Sequence, residues 1–327
     1  MKICLLDKTN FQYSYNDKQS SLLRGAETIL INLYEQLKNF GHEIVVFNNC
    51  SENINNDNSN WYNIKKIKSY DIDFDVAISN GDARLFDYVK SKKKFLISYS
   101  IQPLEKFIRK GQLLAYIKHK PSILVIGKYH QSVRSKITSL FGINILKLAV
   151  DDKFINTKLT NKIDNNLAIF TSRADRNFDL LLHIWNNKIQ PKNNNLKLLA
   201  TPPINNNSNL NVIERSLGTQ YNLINDLLKS RIFLIPGHKA ELFCLAAEEA
   251  RELCLPIVTL GIGSLSERVE HEKTGFIAKN EDEFAFYTLE LFNNNNLWNN
   301  MRDNLFRLRG SKNWKNSVLN LLEIIKY

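Results

Sequence analysis

Residues 232–264 read Ile-Phe-Leu-Ile-Pro-Gly-His-Lys-Ala-Glu-Leu-Phe-Cys-Leu-Ala-Ala-Glu-Glu-Ala-Arg-Glu-Leu-Cys-Leu-Pro-Ile-Val-Thr-Leu-Gly-Ile-Gly-Ser. The apolar run 232–235 is short and ends at Pro236-Gly237, which fits a buried strand. Residues 243–253 then suit a helix and Pro256–Thr259 a second strand, followed by a glycine-containing turn at 261–263. Strands that alternate with helices at this spacing imply a parallel sheet covered on both faces.

The same alternation extends outward in both directions. Upstream, strands are predicted at 167–171 and 196–200 and helices at 177–186 and 220–229; downstream, a helix at 281–293 and a helical tail at 298–326 carrying Trp298 and Trp314. The N-terminal part begins an array of its own. A strand at 2–6 is followed by a helix at 26–38 with Ala26, Ile29, Leu30, Leu33 and Leu37 on one face, and Gly41 stops it. Strands follow at 43–47, 75–79, 95–98 and 122–127, then a helix to about 140. The chain has 327 residues, more than one core usually serves. The expected architecture is α/β: two Rossmann-like doubly wound parallel-sheet domains facing across a cleft, with a boundary near 150–165. Such sheets bind ligands beyond the carboxyl ends of their strands, so the loops after strands are the places to search.

Glu241 falls in the loop after the strand 232–235, at the start of a helix, and Glu249 lies about two turns inside that helix. A carboxylate there can meet sugar hydroxyls or a developing positive charge. The free N–H groups of a helix N-terminus suit an anion such as a diphosphate. After the strand 167–171 comes Ser172-Arg173-Ala174-Asp175-Arg176-Asn177, whose two arginines can grip phosphate oxygens bidentately.

Taken in order, these segments resemble family 4 of the retaining GT-B glycosyltransferases. The resemblance rests on Glu241-x7-Glu249, Leu255-Pro256-Ile257-Val258, Gly263-Ser264-Leu265-Ser266-Glu267 and Thr274-Gly275-Phe276. Further pieces are Gly25-Ala26-Glu27 before Gly41-His42-Glu43-Ile44-Val45-Val46, Leu148-Ala149-Val150-Asp151 with Phe154, Leu217-Gly218 with Leu227-Leu228, and Asn300-Met301-Arg302 with Trp314. The resemblance implies an N-terminal acceptor domain at 1–155, a nucleotide-sugar donor domain at 156–310, and a last helix at 311–327 returning to the first domain. It implies that Glu241 contacts the transferred sugar, that Glu249 holds the ribose, and that Arg173 and Arg176 grip the diphosphate. Gly25, Gly218, Leu242, Phe243, Gly263, Ser264 and Leu265 become donor-binding residues. Where many members carry a histidine after the fourth strand, this chain has Ser98-Tyr99-Ser100, so Ser98 and Tyr99 stand on the acceptor side. The paired glycines of the family are Arg24-Gly25 here, and its Gly-Arg is Ser172-Arg173.

The implied reaction is retaining transfer of a hexose from a nucleotide sugar, as co-substrate, to a hydroxyl of a surface polysaccharide, lipopolysaccharide or glycolipid, with no metal or other cofactor. A nucleotide-sugar epimerase of the same fold, or a non-catalytic nucleotide-sugar-binding protein, stays open as an alternative. Asp73-Phe74-Asp75 spells a metal-binding D-x-D but precedes a strand instead of following one, so it is read as the approach to that strand. The cysteines (Cys4, Cys50, Cys244, Cys254) lack metal-ligand spacing and read as thiols, buried in the case of Cys4 and Cys254.

Residues 1–150 hold 22 basic against 13 acidic side chains, a net +9 of the chain's +11. A basic half attracts anions, but no nucleic-acid motif accompanies it. Within 88–120, Phe107, Ile108, Leu113, Leu114, Tyr116 and Ile117 alternate with Lys106, Arg109, Lys110, Lys118 and Lys120, which suits a helix lying on an anionic membrane surface. The apolar run at Met1–Leu6 is too short for a signal peptide. The expected location is cytoplasmic, peripheral on the cytoplasmic face of the inner membrane.

Overall fold

The computed structural model describes residues 1–19, 23, 25–51, 60–160, 162–201, 211–216 and 218–326. Arg24, Leu217 and the asparagine tract 205–207 lie outside them. The chain divides into two units, Met1–Ala149 with Trp314–Tyr327, and Val150–Asn313.

Unit 1 holds seven parallel strands: β1 (Lys2–Leu6), β2 (Glu43–Asn48), β3 (Trp61–Asn63), β4 (Asp73–Asn80), β5 (Lys90–Ile97), β6 (Ser122–Val125) and β7 (Ile143–Ile145). Their order is β3-β2-β1-β4-β5-β6-β7. Unit 2 holds six: β8 (Leu167–Phe170), β9 (Lys197–Ala200), β10 (Val212–Glu214), β11 (Ile232–Leu234), β12 (Ile257–Thr259) and β13 (Gly275–Ile277), in the order β10-β9-β8-β11-β12-β13. Each unit therefore follows the doubly wound order 3-2-1-4-5-6, with unit 1 adding one edge strand. Strand order reverses between β1 and β4 in unit 1 and between β8 and β11 in unit 2. In sheets of this kind the loops beyond the carboxyl ends of the strands at these two points are where ligands bind.

The central strands β8, β11 and β12 are buried on both faces, as their unbroken apolar runs require. Helix Gly25–Asn39 buries Ile29, Leu30, Leu33 and Leu37, the predicted face. The strands β3, β7, β10 and β13 were not predicted: each is three residues long and, unlike the equally short β11 and β12, is not wholly buried, so no apolar run marks it.

Three expectations change. The helical tail 298–326 is two helices, Asn295–Leu308 and Trp314–Lys326, broken at Gly310, whose φ of +74° ends the first. The Gly310 N–H donates to Glu252 Oε2 at 2.7 Å, which anchors the break in unit 2, while the last helix packs on helix Gly25–Asn39 in unit 1. The first boundary falls at 149/150, because Val150 and Phe154 are buried in the unit 2 core. The segment 104–120 is two short helices, Leu104–Arg109 and Leu113–His119, separated at Gly111 (φ +64°). Asp73 and Asp75 begin β4; the Asp75 carboxylate accepts the Lys2 N–H at 3.0 Å and pairs with Lys92 at 2.8 Å, a structural role.

Candidate active site

In unit 2 the loops after β8, β11 and β12 lock onto one another. Asn177, held at φ +62°, donates its amide to the Gly237 carbonyl at 2.5 Å, tying the β8 loop to the β11 loop. Gly237 bridges to Ile262, and the Ser264 N–H donates to the Glu241 carbonyl at 2.9 Å, tying the β11 loop to the β12 loop. Cys244 also adopts a left-handed conformation, at φ +57°, so the helix Leu245–Glu252 starts from a strained turn. Non-glycine residues persist in that region only where their surroundings impose it.

Glu241 sits at this junction. Its Oε1 accepts the Cys244 N–H at 3.1 Å, and its Oε2 lies 3.2 Å from Arg176 Nε. Arg176 is 16% exposed and also reaches Asp175 at 3.0 Å, while Arg173, 73% exposed, reaches the same Asp175 at 2.6 Å. Asp175 thus ties the two arginines together, and Arg176 carries the chain of charges on to Glu241. The Leu242 and Phe243 side chains are buried, and their amides have no acceptor among the described residues. Gly263 (φ +74°) lies against the β11 loop, and Leu265 is fully buried. The Ser264 amide is taken by the Glu241 carbonyl, whereas its buried Oγ has no partner among the described residues. Gly218 precedes Thr219, whose hydroxyl caps the helix Gln220–Lys229.

A buried charge cluster supports this junction from behind. Glu248 is fully buried, 2.8 Å from Arg251 Nε and 2.7 Å from Arg268 Nη1, and is bonded to Lys312. Burial alone would raise its carboxyl, but the charges of Arg251, Lys312 and Arg268 hold it below its usual range. Arg268 stacks on the Phe243 ring at 4.3 Å and donates to the Phe243 carbonyl at 2.7 Å, so the cluster fixes the loop that ends at Cys244. Glu248→Ala removes the buried carboxylate that Arg251, Arg268 and Lys312 share, and a loss of about 3–5 kcal/mol in chemical denaturation is expected.

Glu249, partly exposed, is pushed up to about 8 by burial and then by the charge of Asp151, while Arg215 pulls it the other way. A folded-state value above the ordinary 4.5 means that the proton stabilises the fold. That contribution is complete below 4.5 and fades as pH rises through 8. Thermal stability should therefore fall between pH 6 and 8.5, by about 1–2 kcal/mol once partial exposure is allowed for, and Glu249→Gln should flatten the decline.

In unit 1, a cavity of about 520 Å³ opens where strand order reverses. Asp7, just after β1, and Asn80, the last residue of β4, line it with Glu27 and Tyr99. Burial first, and then the charge of Glu27, raise Asp7 to about 6 against the hydrogen bond from Tyr13 Oη at 2.5 Å. Tyr99 Oη is buried without a partner, and burial, then Asp7 and Glu27, raise its pKa well above the usual value. Ser98 points elsewhere: it is fully buried, accepts Arg134 Nη1 at 2.6 Å and donates to Ser100 O at 3.0 Å. It braces the β5 end. Gly25 opens its helix with open space around it. Sequence reading passed over Asp7 and Asn80; their one signal was position, directly at the carboxyl ends of two strands. Among the described residues no helix is long and apolar enough to cross a membrane, and no group of three or more His, Cys, Asp or Glu could hold a metal ion.

Comparison with solved structures agrees with this architecture. A sucrose-phosphate synthase from Thermosynechococcus elongatus superposes with a TM-score of 0.68 at 12% identity, over 99% of this chain and 98% of that one. HepE of Anabaena, solved in complex with UDP-glucose, gives 0.66 at 13% identity over 100% and 99%. WaaG, a glycosyltransferase involved in lipopolysaccharide biosynthesis, gives 0.67 at 10% over 99% of each. Identities this low establish the fold alone, and the fold is GT-B. No curated protein matches the chain in sequence. Residues 205–307 match the model of the family described as Glycosyl transferases group 1. That match covers the β11 and β12 loops, Glu241 and the helix Leu245–Glu252, and with the fold it makes this chain a glycosyltransferase.

Proposed function

We propose that the chain is a retaining hexosyltransferase, with the nucleotide-sugar donor bound to unit 2 and the acceptor to unit 1. The observation that carries this is the Arg176–Glu241 pair, which joins the loops after β8 and β11 where the second sheet reverses its order. In this reading Arg173 and Arg176 exchange Asp175 for the diphosphate and neutralise the charge that builds on the departing nucleoside diphosphate, without a metal. The free Leu242 and Phe243 amides add donors at the start of the helix. Glu241 faces the transferred sugar and Glu249 the ribose. Gly218, Gly25, Gly263, Ser264 and Leu265 shape the remaining donor contacts. Proper alignment of donor and acceptor supplies the rest of the rate.

HepE holds UDP-glucose and WaaG takes part in lipopolysaccharide biosynthesis, so a UDP-hexose donor and an envelope glycan or glycolipid acceptor are the first pair to test. Release of nucleoside diphosphate from UDP-glucose and related donors, measured with and without hydroxyl acceptors, tests the reading. Acceptor-dependent release with retained anomeric configuration supports it. Interconversion of the donor without release would make the chain an epimerase, and binding without turnover a nucleotide-sugar-binding protein.

Unit 1 also offers a membrane-facing surface in this reading. Ile108, Leu114 and Ile117 are exposed, Leu114 at 82%, and stand among Lys106, Arg109, Lys110, Lys118 and Lys120. Ile137 and Leu140, also exposed, follow on a segment that packs beside Leu104–Arg109. Apolar side chains ringed by lysine suit peripheral binding to anionic lipid. Sedimentation with phosphatidylglycerol vesicles at low salt is expected, and Leu114→Asp with Ile117→Asp should abolish it.

A further inference from the structure

The unit 1 cavity carries a statement about the acceptor, resting on the transferase reading above. Three buried oxygens in its wall have no partner among the described residues: Glu27 Oε2, Asn80 Oδ1 and Tyr99 Oη. Glu27 is 3% exposed, and only its Oε1 is engaged, by Thr9 Oγ1 at 3.3 Å. A buried carboxylate oxygen left empty is costly, and native proteins keep such atoms where a ligand completes them. Two of the three oxygens can only accept hydrogen bonds, so the ligand must bring donors. The charges nearly cancel: Asp7 and Glu27 face inward, Lys8 and Lys110 line the rim, and Arg84 is already paired with Asp82 at 2.6 Å. A phosphate, which offers only lone pairs, would meet Glu27 and Asn80 head-on. Hydroxyl groups fit all three positions.

We propose that this cavity holds a neutral, hydroxyl-rich group of the acceptor, a sugar ring or polyol end, with Glu27 and Asn80 accepting from its hydroxyls and Tyr99 contacting a third. Phosphorylated groups are excluded from this position and stay at the lysine rim.

Saturation-transfer difference NMR on the full chain, without donor, tests this directly. The probes are methyl glycosides of glucose, galactose, mannose and N-acetylglucosamine, with glycerol and glucose 6-phosphate beside them. At least one neutral probe is expected to bind. Glu27→Gln turns an N–H₂ toward the ligand and should weaken binding about tenfold, as should Tyr99→Phe, while glucose 6-phosphate gives no signal. If Glu27→Gln does not fold, Tyr99→Phe carries the same readout. No neutral binding, wild-type affinity in a folded variant, or stronger binding of glucose 6-phosphate would overturn the proposal. The assay needs no turnover, so a chain that binds these probes yet never releases nucleoside diphosphate would defeat the transferase reading and leave the cavity's ligand class standing. A chain that transfers while both variants keep wild-type affinity would do the reverse.

Discussion

Glu241→Ala is expected to lower kcat/KM for sugar transfer about a thousandfold, the scale on which a preorganised charge at a reacting centre acts. The alanine loses the partner of Arg176 at 3.2 Å and the acceptor of the Cys244 N–H at 3.1 Å, so the helix start and the arginine both loosen. Glu241→Gln separates these effects. It keeps an oxygen for Cys244, so the fold should survive with a loss below about 1 kcal/mol, the usual worth of a cap. Its turnover should stay low if charge opposite the sugar is what matters. Nucleoside diphosphate release, followed alongside thermal unfolding of both variants, checks this. Full activity in Glu241→Gln would reduce Glu241 to a helix cap.

The second large effect is Gly263→Ala. A methyl group there meets the His238 carbonyl oxygen well inside contact distance and the Glu241 carbonyl oxygen at 2.9 Å, both backbone atoms that cannot swing away. The φ of +74° adds strain for any L side chain. The β11 and β12 loops must then part, breaking the Ser264–Glu241 hydrogen bond. A loss of roughly 2–4 kcal/mol is expected, with donor binding lost as well. Gly25→Ala is the control for stability alone, because no described atom lies within 4 Å of a methyl group placed there and its helix tolerates alanine. Equal thermal stability of the two variants would contradict the packing described.

The fold was legible because long buried strands and amphipathic helices announce themselves by period. The short edge strands β3, β7, β10 and β13 and the break at Gly310 did not, since none of them interrupts or sustains an apolar pattern. The loops after β11 and β12 were legible for a related reason: Pro236-Gly237 and Gly261-Ile262-Gly263 punctuate the chain beside charged residues. Spacing could not say that Arg176 meets Glu241, or that the Ser264 amide is spent on Glu241, because both depend on where loops from separate strands meet. Ser98 and Tyr99, neighbours just past the end of β5, part company: Ser98 accepts from Arg134 at 2.6 Å while Tyr99 lines the unit 1 cavity. Asp7 and Asn80 meet Glu27 from two separate strand ends, so the motif that includes Glu27 records neither of them.

The central claim is that the Arg173–Asp175–Arg176–Glu241 chain is an anion site for a diphosphate. Isothermal titration of UDP, UMP and uridine against the wild-type chain and Arg176→Ala tests it most directly, with GDP and ADP run beside them for the base. The diphosphate is expected to bind at least about tenfold more tightly than the monophosphate, and Arg176→Ala to erase that difference. Equal affinity for all three uridine ligands, or a diphosphate preference that survives Arg176→Ala and Arg173→Ala together, would contradict it.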